Sequence, residues 1–229
     1  MKKILSLMTL VALLITLLPA QNTYAAESKV TTPADYVQYL KTQPDSADTV
    51  QQFEALSPAD QQKYIKYVTD PALMEQVLQA TMSGKPTTLA NGDIKVNQSN
   101  EGLPHHSGGS VGTMETVKTV YQDFDSMVLG VNTFKYRITL TYSVGGTSSS
   151  NLQVRKAIGG NGEFLFSRIP GLSMSFTKDA PYVSNNTAVI KVYAHWDLVY
   201  QGSGARYGTD LVTLTGYTDG SKTWTKEQF

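Results

Sequence analysis

Cysteine is absent from all 229 residues. That excludes disulfide staples, Cys-ligated zinc, thiol catalysis and a lipidated cysteine anchor. Net charge is missing too: 19 basic residues balance 19 acidic ones, which argues against a nucleic-acid binder held by a strongly basic surface. Histidine is scarce, with only His105, His106 and His195. Beyond Leu18 no stretch approaches the roughly 18 consecutive apolar residues of a membrane-spanning helix, so the expected mature chain has no transmembrane segment. There is no phosphate loop: Gly202 to Gly208 is glycine-rich but wrongly spaced for a dinucleotide fingerprint, and Gly159-Gly160-Asn161-Gly162 reads as a turn. No cofactor is implied.

What is present begins with an address. Met1-Lys2-Lys3 precedes an apolar run from Ile4 to Leu18, then Pro19 and a polar stretch ending Thr23-Tyr24-Ala25-Ala26. A positive start, an apolar middle and small residues at the cut describe a secretory signal peptide over residues 1–25, cleaved after Ala25. The apolar run is too short to cross a bilayer core of about 30 Å. The expected localisation is therefore secreted, or extracellular, and the short dilysine start has a bacterial look. An exported chain without cysteine relies on its core for stability.

The remaining sequence divides by texture. Residues 26–82 read as a helical region, 83–112 as a hairpin and flexible linker, and 113–229 as a β-sandwich domain. Thr32-Pro33-Ala34-Asp35 and Ser57-Pro58-Ala59-Asp60 each place a hydroxyl at the N-cap, proline in the first turn and a carboxylate at N3. Asp70-Pro71 repeats the start signal, and Ser46 or Asp45 caps a further helix, which makes four. Residues 32–56 and 57–81 align without a gap, with Tyr39 over Tyr64 and Gln51 over Gln76 among the identities, so a duplicated helical hairpin is one reading and shared capping chemistry the other. Asn91-Gly92 is a hairpin signal.

Beyond residue 113 the period changes to two. Phe134, Tyr136, Ile138, Leu140, Tyr142 and Val144 alternate with Lys135, Arg137, Thr139, Thr141 and Ser143, and Ala188, Ile190, Val192, Ala194, Trp196 and Leu198 alternate with Val189, Lys191, Tyr193, His195 and Asp197. Each is a strand with one buried face. Shorter candidates lie at 117–121, 152–158, 163–167, 173–177 and 211–217. The fold class expected is α+β by domains: a short N-terminal helical region followed by an all-β, immunoglobulin-like antiparallel β-sandwich of about seven strands with Greek-key connections.

Few residues in the sequence stand at spacings that carry chemistry. His105-His106 sits in a glycine-rich stretch without a third ligand at metal-binding spacing, so no metal site is expected. Asp123 and Asp125 share a strand face but read as a solvated edge rather than a glycosidase pair. No Gly-x-Ser-x-Gly elbow is present, and no catalytic residues are assigned. His195 lies opposite Trp196 and beside Tyr193 and Asp197. Tyrosine is abundant, with 13 copies, and its rigid ring with a polar tip suits recognition surfaces. The candidate ligand-binding residues are Tyr193, His195, Tyr200 and Tyr207, the last two flanking the glycine-rich stretch; Trp224 is expected near an exposed terminus. The expected function is a secreted, non-enzymatic binding or interaction protein whose partner is an unidentified extracellular glycan, cell wall or protein surface, with no nucleic acid. The alternatives are a pore-forming or membrane-active protein, on the amphipathic pattern at 131–144, and an extracellular hydrolase built on His195.

Overall fold

The computed structural model describes residues 30–82, 85–99, 105–107, 114–147, 151–200 and 204–229. The expected signal peptide lies outside the described residues.

Among the described residues four helices come first: α1 (Pro33–Lys41), α2 (Ala47–Glu54), α3 (Pro58–Val68) and α4 (Pro71–Met82). Their starts follow the cap chemistry. The Thr32 hydroxyl accepts from the Asp35 N–H while the Asp35 carboxylate accepts from the Thr32 N–H, closing a capping box. Ser57 and Asp60 repeat the first half of it. Asp70 accepts from the N–H groups of Ala72 and Leu73. Ser46 precedes α2 but makes no side-chain cap bond.

Eleven strands follow among the described residues: β1 (Thr87–Leu89), β2 (Ile94–Ser99), β3 (His105–Ser107), β4 (Met114–Val128), β5 (Val131–Gly146), β6 (Gln153–Ser167), β7 (Leu172–Lys178), β8 (Tyr182–Ser184), β9 (Thr187–Tyr200), β10 (Gly204–Gly216) and β11 (Lys222–Gln228). They form two antiparallel sheets. The first has the order β1-β2-β4-β5-β6, with β3 also paired to β4; the second has the order β11-β10-β9-β7, with β8 also paired to β9. Buried alternating side chains of β4, β5, β9 and β10 join one apolar cluster. The two long alternating runs are therefore central strands, as their period implies. Leu129 and Gly130, both at positive φ, make the two-residue turn that lets β4 and β5 pair almost end to end.

Three expectations are revised. The strand order is a pair of meanders joined by one passage from β6 to β7. A Greek key returns a fourth strand by a long connection to lie beside the first of three hairpin-linked strands; neither order shows this among the described residues, so the immunoglobulin-like part of the expected fold is not confirmed. Next, Gly159-Gly160-Asn161-Gly162 is not a turn but the middle of β6, paired to Thr141, Leu140, Thr139 and Ile138. The reason is close approach: a Cβ on Gly160 would strike the Thr139 carbonyl and the Ile190 side chain, and one on Gly162 would strike the Phe176 ring. Finally, Trp224 is not an exposed terminal residue. It packs edge-on against Phe124, with centroids 5.0 Å apart.

The hairpin expected around Asn91-Gly92 is β1–β2, and β2 continues the first sheet against β4. Within the stretch read as a linker, residues 105–107 pair with 117–119 of β4; most of the rest lies outside the described residues.

The helices share their core with the sheets. Tyr36 is fully buried among Phe53, Tyr64 and Tyr39. Its hydroxyl bonds to that of Tyr64 at 2.7 Å and donates to the Arg168 carbonyl at 2.8 Å. Arg168, in the β6–β7 passage, reaches back the other way. Its guanidinium donates to the carbonyls of Pro44 and Asp45 between α1 and α2, at 3.0 and 2.9 Å. Gln52 accepts from the Asn132 N–H at the start of β5, and Lys63 and Tyr67 of α3 both bond to Asp93. The helical region thus closes the end of the β-structure where the β4–β5 turn and the β6–β7 passage lie. No helix among the described residues is long and apolar enough to cross a membrane.

Candidate functional site

The outer face of the second sheet gathers three of the four candidate residues. Period two sends Trp196 and Leu198 of β9 inward, where both are buried, and leaves Tyr193, His195 and Asp197 on the opposite face. Register supplies their neighbours. His195 sits between Ser175 of β7 and Thr209 of β10; Tyr193 sits between Thr177 and Leu211; Asp197 sits between Ser173 and Tyr207. Along β7, β9 and β10 the face is therefore lined largely by hydroxyls, with the His195 imidazole and the Asp197 carboxylate among them.

His195 is held at both nitrogens. Nε2 bonds to the Thr177 hydroxyl and Nδ1 to the Thr209 hydroxyl, each at 2.9 Å. Threonine hydroxyls both donate and accept, so they accommodate either ring tautomer. A general base needs a free lone pair aimed at substrate and an acid behind it. Here both positions are filled by threonine, and the ring acts as a cross-strand tie over β7, β9 and β10.

Exposed aromatic area concentrates at one end of this face. Tyr207 is 77% exposed and Phe229 is 73% exposed. The Phe229 N–H donates to the Thr209 carbonyl at 3.1 Å, which extends the β10–β11 pairing by one residue. Phe229 thereby stands beside Thr209 and diagonal to Tyr207, within about 7–8 Å for diagonal neighbours. Val199, 41% exposed, lies next along β9. Tyr200, the fourth candidate, ends β9 opposite Gly204, and its side chain lies outside the described residues, as do those of His105 and His106. Sequence reasoning missed Phe229, because a terminal residue acquires a face only once its strand is paired.

The inner face of the same sheet holds a second polar group of residues, also missed. Asp210 of β10 and Lys226 of β11 point into the core from neighbouring strands, with side chains 0% and 3% exposed and Nζ 3.8 Å from Oδ2. The Lys226 ammonium donates to the Tyr136 hydroxyl at 2.9 Å and lies over the Phe124 and Tyr136 rings. Burial pushes the Asp210 carboxyl up to about 6, against the opposing pull of Lys226. Burial likewise brings Lys226 down to about 8.

The acids singled out on β4 separate in role. Asp123 is 2% exposed. It accepts both Nε and Nη2 of Arg137, at 2.6 and 2.8 Å, and is 2.8 Å from Lys135 Nζ. Burial raises its carboxyl, but these two cations outweigh burial and hold it below the ordinary carboxylate range. Asp125 is raised instead, chiefly by burial. Neither arrangement is the solvated edge expected, because the outer face of β5 supplies cations opposite Asp123. Among the described residues no group of three or more His, Asp or Glu is placed to hold a metal ion.

Compared with known proteins, the chain matches no family model, no curated protein and no solved structure.

Proposed function

We propose that this chain is an exported, non-enzymatic binding protein that engages a neutral glycan through the outer face of its second sheet. The observation that supports the reading most is the pair Tyr207 and Phe229, each about three-quarters exposed on neighbouring strands at the edge of a hydroxyl-lined surface. Aromatic side chains are enriched at interaction surfaces. A pyranose ring offers an apolar C–H face to an aromatic ring and a rim of hydroxyls to polar neighbours. Ser173, Ser175, Thr177, Asp197 and Thr209 supply that polar surround.

The charge on this face is sparse and mixed, Lys191 and Asp197 on β9 against Glu227 on β11, so it does not select a strongly acidic or basic polymer. Export rests on the leader-like residues 1–25. The hydrolase alternative loses its motivation with His195 tied to two threonines. The test is retention of the purified protein on neutral polysaccharide gels and on insoluble peptidoglycan. Binding to one of these that Tyr207→Ala weakens at least tenfold supports the reading. Equal retention of the variant, or vesicle leakage without glycan binding, contradicts it.

A further inference from the structure

The core of the second sheet places an amine and a carboxyl side by side with no ordinary salt-bridge geometry between them. Register pairs Val212 with Lys226 and Asp210 with Gln228, so Asp210 and Lys226 are diagonal neighbours on one face of adjacent strands. Both side chains are buried. An ion pair this deep is expected to close into direct hydrogen bonds, because only those offset the desolvation of both charges. Here it does not close. Neither Asp210 oxygen has a partner in full hydrogen-bonding geometry, and the Trp196 indole N–H, also without one, lies close enough to the carboxyl to lower its pKa. Lys226 instead commits an N–H to Tyr136.

We propose that Lys226 and Asp210 condense to form an intramolecular amide joining β10 to β11. The Lys226 nitrogen attacks Cγ of Asp210, the C–N bond forms, and the carboxyl hydroxyl leaves as water with one proton from the amine. The other amine proton remains as the amide N–H. No oxidant or co-reactant is required. The reacting forms are the neutral amine and the neutral acid, and burial among Phe124, Tyr136 and Trp196 favours both. The hydrogen bond to Tyr136 orients the nitrogen, and holding both groups side by side makes the encounter intramolecular. The Trp196 N–H lies beside the carboxyl, where it can donate to the carbonyl oxygen on which negative charge develops as the nitrogen adds. The product amide has no charge to bury. It ties down the C-terminal edge strand in a chain that has no cysteine to staple it.

The experiment is peptide mapping of the purified, folded protein. Trypsin cuts after Arg206 and Lys222, and an amide at Lys226 blocks the next cut. The expected product is peptide 207–222 joined to peptide 223–229, with a mass about 18 Da below the sum of the two, one water having been lost. An Asp210→Asn variant is expected to join the same peptides with release of ammonia, about 17 Da relative to its own uncondensed sum, and Lys226→Arg is expected to yield only separate peptides. The joined pair separates this bond from cyclisation at an Asp-Gly site elsewhere, which changes mass without linking peptides. Separate 207–222 and 223–226 peptides from wild-type protein would overturn the proposal.

Discussion

Replacing Arg168 with methionine tests how the helical region is held to the β-structure. The arginine is 2% exposed, and its guanidinium donates to Pro44 and Asp45 at 3.0 and 2.9 Å, with longer contacts to Thr49 and Ser167 at 3.3 and 3.4 Å. A hydrogen bond from a charged donor contributes about 1.5–3 kcal/mol, so the two short bonds set an upper range near 3–6 kcal/mol. Two effects reduce it. Pro44 and Asp45 are exposed, so water regains their carbonyls, and methionine removes the cost of desolvating a cation. The expected net loss is about 2–3 kcal/mol. At roughly 2–4 °C per kcal/mol for a chain of this size, Tm falls by about 5–10 °C. Urea denaturation at pH 7 measures the free energy, and amide hydrogen exchange locates it, with α1 and α2 losing protection before β5 and β9. A change under about 0.5 kcal/mol, the level of an ordinary surface substitution, would refute the assignment of Arg168 as the tie between the two parts.

Further expectations follow from the same geometry. Gly162→Ala places a Cβ against the Phe176 ring and is expected to cost about 1–3 kcal/mol as an overpacked core, read as a lower urea midpoint with an unchanged slope. Because the folded-state carboxyl of Asp123 lies below its unfolded value of 3.8, its contribution is fully present above that value and is lost as pH falls through the folded one. An Asp123→Asn variant is expected to be less stable at pH 7 and to show a shallower acid-side decline than wild type, measured by denaturation at stepped pH. Tyr36→Phe removes the donor to the Arg168 carbonyl while keeping the ring, and is expected to cost about 1–3 kcal/mol for an unpaired buried carbonyl; an unchanged Tm would contradict the role given to that hydroxyl.

Much of the fold was legible because its signals are local. The capping residues Thr32, Ser57 and Asp70 mark helix starts whatever lies elsewhere in the chain, and the alternation from Phe134 to Val144 names its own buried face. What was not legible depends on pairing. The glycines of β6 resemble a turn until the second sheet is seen to press on Gly160 and Gly162. Strand β11 shows no apolar alternation, because its inward residues include Lys222 and Lys226. Inward charges on an edge strand also discourage pairing with another chain. The meander order leaves no trace in the period of individual strands. On the candidate surface, period two placed Tyr193 and His195 on one face, yet the exposed partner Phe229 and the buried pair Asp210 and Lys226 emerge only from the β10–β11 register.

The most direct test of glycan recognition by the second sheet is nuclear magnetic resonance chemical-shift mapping, titrating in a soluble oligosaccharide cut from whichever polysaccharide retains the protein. Perturbations are expected to concentrate at residues 173–177, 193–197, 207–211 and 229, and to need at least tenfold more oligosaccharide in Tyr207→Ala. Shifts confined to the helices or the first sheet, or a spectrum indifferent to every glycan offered, would contradict that recognition.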